Sequence, residues 1–243
     1  GNAVQNAGQH GIFRHNLVYD TNAGISMQRY SDEANSDTNN RVYHNVMANN
    51  ECGGVSIGQG TSTQLTDNRF RNNILFGNTG CEGVGNAQVV YQGLAGFSFD
   101  HNNLYGSEVG DEVVQELFGS GSTLTSMEAA QPGLFKDNLN IDPLFVDAPG
   151  RDYHLSSGSP MVDAGAYLTN TAAAGSGVNL EVDDASWFAD GFGIDGELGD
   201  TIQLEEQTAT ARVIAIDYDN NILTLDTSLT WGAGVGVSLE YLG

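Results

Sequence analysis

Hydrophobic and polar positions alternate only over very short spans in this chain, and Asn or Gly breaks the alternation every few residues. In Arg41–Asn50 (RVYHNVMANN), Val42, Tyr43 and Val46 suit a strand, and Asn49-Asn50 suits a turn. The signature recurs. Phe13-Arg14-His15-Asn16-Leu17 precedes it; Phe70-Arg71-Asn72-Asn73-Ile74 and Phe99-Asp100-His101-Asn102-Asn103 follow it. Aligned on the asparagine, the positions are Asn16, Asn45, Asn73 and Asn102, spaced 29, 28 and 29 residues apart. A second marker, Gly24-Ile25-Ser26, Gly54-Val55-Ser56 and Gly83-Val84, keeps nearly the same period. Fixed-period self-similarity predicts a repeat architecture. Each period has room for two or three short strands with Asn/Gly corners and none for a helix.

The pattern therefore predicts a solenoid of β-coils, each strand pairing in parallel with its copy one coil away. Asn tolerates left-handed backbone angles at a sharp corner, and stacked Asn side chains can pass hydrogen bonds along a column. Asn16, Asn45, Asn73 and Asn102 are read as such a structural ladder rather than as catalytic residues. Cys52 and Cys81 lie one period apart at the same place in the repeat. Neighbouring strands about 4.8 Å apart would bring them within disulfide range. The pair is either a disulfide, which implies an oxidising compartment, or two buried thiols.

The Asn-punctuated coils resemble the right-handed parallel β-helix proteins, among them pectate, alginate and chondroitin lyases. Ile141–Val146, Asp152–Leu155 and Ser159–Gly165 look like the closing coil of secreted members. The resemblance covers roughly residues 1–167. It implies an all-β, right-handed parallel β-helix and an extracellular, cell-surface or periplasmic address. It leaves the reaction open, because one scaffold carries many functions.

Composition narrows this further. Gly is abundant (32) and Pro scarce (4), which suits many tight turns. The net charge of −23 would repel phosphates, which argues against nucleic-acid binding. No apolar run approaches membrane-spanning length, so membrane insertion is not expected. Acidity favours solubility and hard cations such as Ca²⁺; no organic cofactor is expected.

Coils are expected to run to about Tyr105, followed by a side excursion over 106–140 with a short helix, best placed at 108–118. A closing coil should follow at 141–167 and a linker at 168–177. Residues 178–243 read as a small antiparallel barrel or sandwich. Its hairpin strands are Ala211–Ile216 and Ile222–Leu225, with further strands at Thr201–Leu204 and Val235–Tyr241. The chain begins at Gly1, which reads as a processed or excised piece. Its first coil shows no cap, so upstream coils or a neighbouring subunit are expected against it.

Candidate chemistry sits in loops and outward side chains. The loop 31–40 holds Asp32, Glu33 and Asp37 between Arg29 and Arg41. Three carboxylates there can ligate Ca²⁺, act as an acid/base pair on a glycoside, or simply be solvated. Asp183, Asp184, Asp195, Glu197 and Asp200 form a second acidic cluster that can hold Ca²⁺ but lacks EF-hand spacing. Trp187, Phe188 and Phe192 there are core or a sugar-stacking platform. Arg14, Tyr43 and Arg71 share one repeat position, and His15, His44 and His101 the next. Strand alternation lets one of these columns face fully outward. No lysine falls in the predicted coils, unlike lyases of this fold that use one near a cation site, so no catalytic residue is carried over.

Two functions follow as expectations. One is a carbohydrate-active or carbohydrate-binding protein acting on a polysaccharide, as a lyase or glycoside hydrolase if it is an enzyme. The other is a non-catalytic surface protein, adhesin or filament subunit built by stacking solenoid ends.

Overall fold

A computed structural model describes residues 1–28, 37–58, 65–83, 85–117 and 119–240. Two units are present, Gly1–Gly165 and Ala166–Gly243. Among the described residues no helix is long and apolar enough to cross a membrane.

Among the described residues the first unit is a β-solenoid built on three long sheets, with a two-stranded parallel piece, Asp37–Thr38 beside Leu65–Thr66, between turns. The first sheet stacks Val4–Asn6, Ile25–Met27, Val55–Ile57, Val89–Tyr91 and Glu112–Glu116 in parallel, with Gly121–Thr123 antiparallel at its edge. The second stacks Ile12–Arg14, Arg41–Tyr43, Asn68–Arg71, Phe97–Asp100 and Phe135–Lys136. The third stacks Leu17–Tyr19, Val46–Ala48, Ile74–Phe76 and Asn103–Tyr105. Phe13, Val42, Phe70, Phe99 and Phe135 share one register and point inward. The Phe70 and Phe99 rings stack at 4.7 Å, and Phe99 and Phe135 at 4.9 Å. The repeat thus buries an aromatic column that favours this register over any slip.

The corners follow one rule. A residue in the left-handed region comes first and a ladder asparagine follows it; Gln88, which follows Ala87, is the exception. Between the second and third sheets the left-handed residues are His15, His44, Asn72, His101 and Asp137, all with φ of 53–55°. This corrects the expectation that the ladder asparagines themselves turn the corner. His, Asn and Asp are the non-glycine types that enter this region most readily. The next residue aims inward. Asn16 Nδ2 donates to Asn45 Oδ1 (3.0 Å), Asn45 to Asn73 (2.9 Å), Asn73 to Asn102 (2.8 Å) and Asn102 to Asn138 (3.0 Å). The other two corners carry shorter ladders, Asn40 to Asn68 (2.8 Å) and Asn50 to Asn78 to Gln88 (2.8 and 2.7 Å).

Residues 106–140 are not a plain side excursion. Glu112–Glu116 is a strand of the first sheet, not a helix, and Phe135–Lys136 a strand of the second. The helix lies between them, at Leu124–Ala130, where the Thr123 hydroxyl accepts the Ser126 N–H and Leu124 and Met127 turn inward. The segment expected to close the stack is an antiparallel hairpin, Phe145–Asp147 with Asp152–Leu155. It packs on the outside of the third sheet, with Phe145 edge-on to Phe76 at 5.2 Å and Tyr153 beside Tyr19 at 5.6 Å.

The second unit is an antiparallel half-barrel of six strands. Their order is Thr169–Asn170, Gly236–Leu239, Thr201–Leu204, Thr210–Asp217, Ile222–Trp231 and Gly175–Glu181. The stretch read as a linker therefore contributes two strands. Its small residues fit close packing: a Cβ on Gly175 would meet the Trp231 ring at 3.0 Å. Leu180, Trp187, Phe188, Ile202, Val213, Leu223 and Val237 fill the core.

Candidate functional site

The outward face of the second sheet gathers charge. Of the eight Lys and Arg residues in the chain, Arg14, Arg41, Arg69, Arg71 and Lys136 lie on its strands. Alternation explains this: the inward Phe column places its neighbours on the outer face. Lys136 corrects the expectation that no lysine falls in the coils. Its strand pairs Asp100 with Lys136, one turn beyond the Arg71–Asp100 pair.

The histidine column is also not in the core, although alternation was expected to free only one column. The left-handed corner breaks the two-residue period, so Arg71 and Asn72, or Asp100 and His101, both lie outside it.

Ion pairs tie the face together. Arg14 Nη1 donates to the Tyr43 hydroxyl (2.8 Å). Asp67, a left-handed corner residue, accepts from Arg41 Nη2 (2.7 Å) and Arg69 Nε (2.6 Å). Asp100 accepts from Arg71 Nε (2.5 Å) and lies 3.1 Å from His101 Nδ1. Burial works to raise the Asp100 carboxyl, but the His101 hydrogen bond and the Arg71 guanidinium outweigh it and hold it below the usual range. Arg69, Arg71, Asp100, His101, Leu134 and Lys136 are among the residues lining an open groove of about 480 Å³. The Lys136 side chain is 71% exposed. Each cation of the lining has a carboxylate beside it: Arg69 has Asp67, Arg71 has Asp100, and Lys136 Nζ lies 3.5 Å from Asp137 Oδ2, in a chain of net charge −23.

The candidates from sequence are dispersed. Arg29, Asp32 and Glu33 lie outside the described residues. Arg41 is buried and holds Asp67. His44 is half-buried at the corner, stacked on His15 at 5.5 Å, with Asn72 Nδ2 3.2 Å from its Nε2. Burial, with help from His15 and Arg14, lowers its pKa to about 4, so it is neutral at pH 7. Asp37 is fully buried at the foot of a ladder, where its Oδ1 accepts from Asn40 Nδ2 (2.7 Å) and its Oδ2 has no partner among the described residues.

In the second unit, Asp184 caps the turn Ala185–Trp187, and Asp200 Oδ2 accepts the Ala189 N–H (2.8 Å). Asp183, Asp195 and Glu197 are exposed. Among the described residues no three His, Cys, Asp or Glu side chains are gathered as a metal site requires. Alternating Gly and Asp in 190–200 build turns that point carboxylates apart or onto backbone N–H groups. Trp187 and Phe188 are core, while Phe192 is 59% exposed.

Burial raises the Asp37 carboxyl to about 7. A pKa raised on folding gives stability that is complete below about pH 4 and lost as pH climbs through 7. Asp37→Asn is expected to remove that slope and exceed the wild type by about 4 kcal/mol at pH 8. Urea unfolding at pH 5 and pH 8 checks this; equal slopes in both proteins would count against it.

Arg69, Asp100 and Lys136 were missed from sequence. The signal was present for Lys136: Phe135-Lys136-Asp137-Asn138 repeats the Phe99-Asp100-His101-Asn102 pattern at a spacing lengthened to 36 residues by the inserted helix. No family model, no curated protein and no solved structure matches this chain.

Proposed function

We propose that this chain is an exported carbohydrate-active or carbohydrate-binding β-solenoid that holds an acidic polysaccharide along the groove of its second sheet. The observation that carries the reading is the concentration of Arg69, Arg71 and Lys136 on one groove of a strongly acidic chain. Elsewhere the surface repels a polyanion, so the groove is where one is tolerated. Arginine and lysine pair with carboxylate or sulfate groups; Arg69 and Arg71 share one strand, and Lys136 lies two strands from Arg71 with Asp100 between them. The Cys52–Cys81 disulfide supports an oxidising, extracellular or cell-surface setting. Calcium would supply a further bridge between acidic loops and an acidic glycan.

Retention on immobilised alginate, pectate and chondroitin sulfate, against a neutral glucan, tests the proposal. Binding to at least one acidic glycan is expected, weakening with salt and falling about tenfold in Lys136→Glu, whose exposed side chain leaves the core untouched. Retention lost in chelator would identify the calcium bridge. No retention on any glycan would overturn the reading.

One observation favours a stacked, structural role instead. Val4–Asn6, Ile12–Arg14 and Leu17–Tyr19 are each the last strand of their sheet, and an apolar hollow of about 100 Å³ opens beside Val4, Phe13 and Ile25. Such an edge suits another turn, from upstream coils or a neighbouring subunit. Concentration-dependent light scattering separates the two.

A further inference from the structure

The loop from Asp190 to Asp200 in the second unit displays apolar surface that its own core does not use. Among the described residues, three of the four most exposed large apolar side chains lie in it: Leu198 at 70%, and Phe192 and Ile194 at 59%. Single exposed apolar residues are ordinary, but three within one short loop are a local cluster. The loop is built, not slack. Asp200 N–H donates to Ala189 O (2.9 Å) and closes its neck. Ile194 N–H donates to Gly191 O and Glu197 N–H to Ile194 O, both at 3.0 Å. Phe192 sits in the left-handed region (φ 52°), where a bulky residue is an outlier, and Asp190 Oδ1 accepts its N–H (2.9 Å). That backbone sets the ring in solvent, whereas Trp187 and Phe188 are core.

Asp195 and Glu197 stand exposed among these side chains, and the loop carries no cation. A lipid surface would have to strip water from both carboxylates, so it is a poor fit. A protein surface that offers apolar wall and cations together is a good one. In this chain the groove of the second sheet has that combination. Five of the eight Lys and Arg residues lie on strands of that sheet, and Pro132, Gly133 and Leu134 line the groove beside Arg69 and Lys136. Lys136 and Asp137 form an exposed pair at 3.5 Å. Such a pair is worth little, so the ammonium is able to turn to another carboxylate.

We infer that the 190–200 loop of one copy docks into the second-sheet groove of another. Phe192 and Leu198 pack on Pro132 and Leu134, and Asp195 and Glu197 face Arg69 and Lys136. The two surfaces differ, so the contact is heterologous, each copy offering one loop and one groove. The inference stands apart from the glycan reading, although a groove filled by a loop is closed to a glycan.

Sedimentation equilibrium of the full chain, without glycan, is the test. Wild type is expected to exceed the monomer mass below about 1 mM protein, with association weakening as salt rises. Phe192 and Lys136 are exposed, so Phe192→Ser and Lys136→Glu should melt as wild type does. Each should weaken self-association at least about tenfold. At a concentration where each variant alone is monomeric, their mixture should form a dimer and nothing larger, because one intact loop and one intact groove remain between them. A wild type that stays monomeric throughout that range would overturn the inference. So would association unchanged in either variant, which places the contact on another surface such as the solenoid ends, or a mixture that stays monomeric. Phe192→Ser leaves the groove intact, so its retention on a glycan tests the glycan reading separately.

Discussion

Asn73→Leu is expected to destabilise the solenoid by about 4 kcal/mol, the sum of several buried polar groups left without partners. Asn73 is fully buried, and its amide serves three acceptors: Val42 O (2.9 Å), Arg71 O (3.1 Å) and Asn102 Oδ1 (2.8 Å). Its Oδ1 accepts both the Asn45 backbone N–H (3.1 Å) and Asn45 Nδ2 (2.9 Å). Leucine has the same branched outline but bulkier methyl groups, so overpacking adds to the lost hydrogen bonds. Asn45 Nδ2 keeps Phe13 O and Tyr43 O, but the Asn45 N–H is orphaned. Asn16 closes the column at its half-buried end, so Asn16→Leu should cost about 1 kcal/mol. Paired denaturant unfolding of the two variants decides this. Equal, small effects would show that the corners are held by backbone pairing alone.

The ladder also shows what a sequence of this kind discloses. The period was legible because stacking demands the same residue at the same place, and Asn16, Asn45, Asn73 and Asn102 repeat it evenly. Which residue turns the corner was not, because Asn tolerates both the left-handed and the ladder position; only φ at His15, His44, Asn72 and His101 separates the two. Asn138 escaped because a helix lengthens its turn, although its Phe-x-x-Asn frame survives. The groove escaped for the same reason. Arg71, Asp100 and Lys136 become neighbours only once Phe70, Phe99 and Phe135 are known to share a register. Asp67 and Asp100 looked like two more acids in an acidic chain. Their partners, Arg41 and Arg71 in neighbouring turns and Arg69 two residues on from Asp67, give them a role that composition cannot reveal. In the second unit the hairpin at 210–231 was plain from alternation, while 169–177 looked like a linker because small residues pack against Trp231 without an apolar signature.

Removing the Cys52–Cys81 disulfide is expected to cost the first unit about 3.6 kcal/mol. The bond closes a loop of 29 residues, and the chain-entropy relation for that length gives this figure at 25 °C. The two Cα atoms are 4.0 Å apart, and among the described residues no cysteine is free, so the alternative of two buried thiols does not hold. The bond joins equivalent points of adjacent turns, at the start of the turn Cys81–Gly83 and next to Gly53, whose φ of 85° a side chain would strain. Flanking ladder contacts hold the same turns, through Gly53 N–H to Thr79 O (2.9 Å) and Thr79 N–H to Asn50 O (2.9 Å). The native geometry therefore survives reduction, and the loss falls on the unfolded ensemble, which gains a whole solenoid turn of freedom. Cys52→Ser/Cys81→Ser, or wild type in reductant, should melt about 10 °C lower in the transition of residues 1–165. The transition of 166–243, which holds no cysteine, should not move. If the melt is unchanged on reduction, parallel pairing and the ladders already restrain that loop before folding completes, and the disulfide adds nothing to stability.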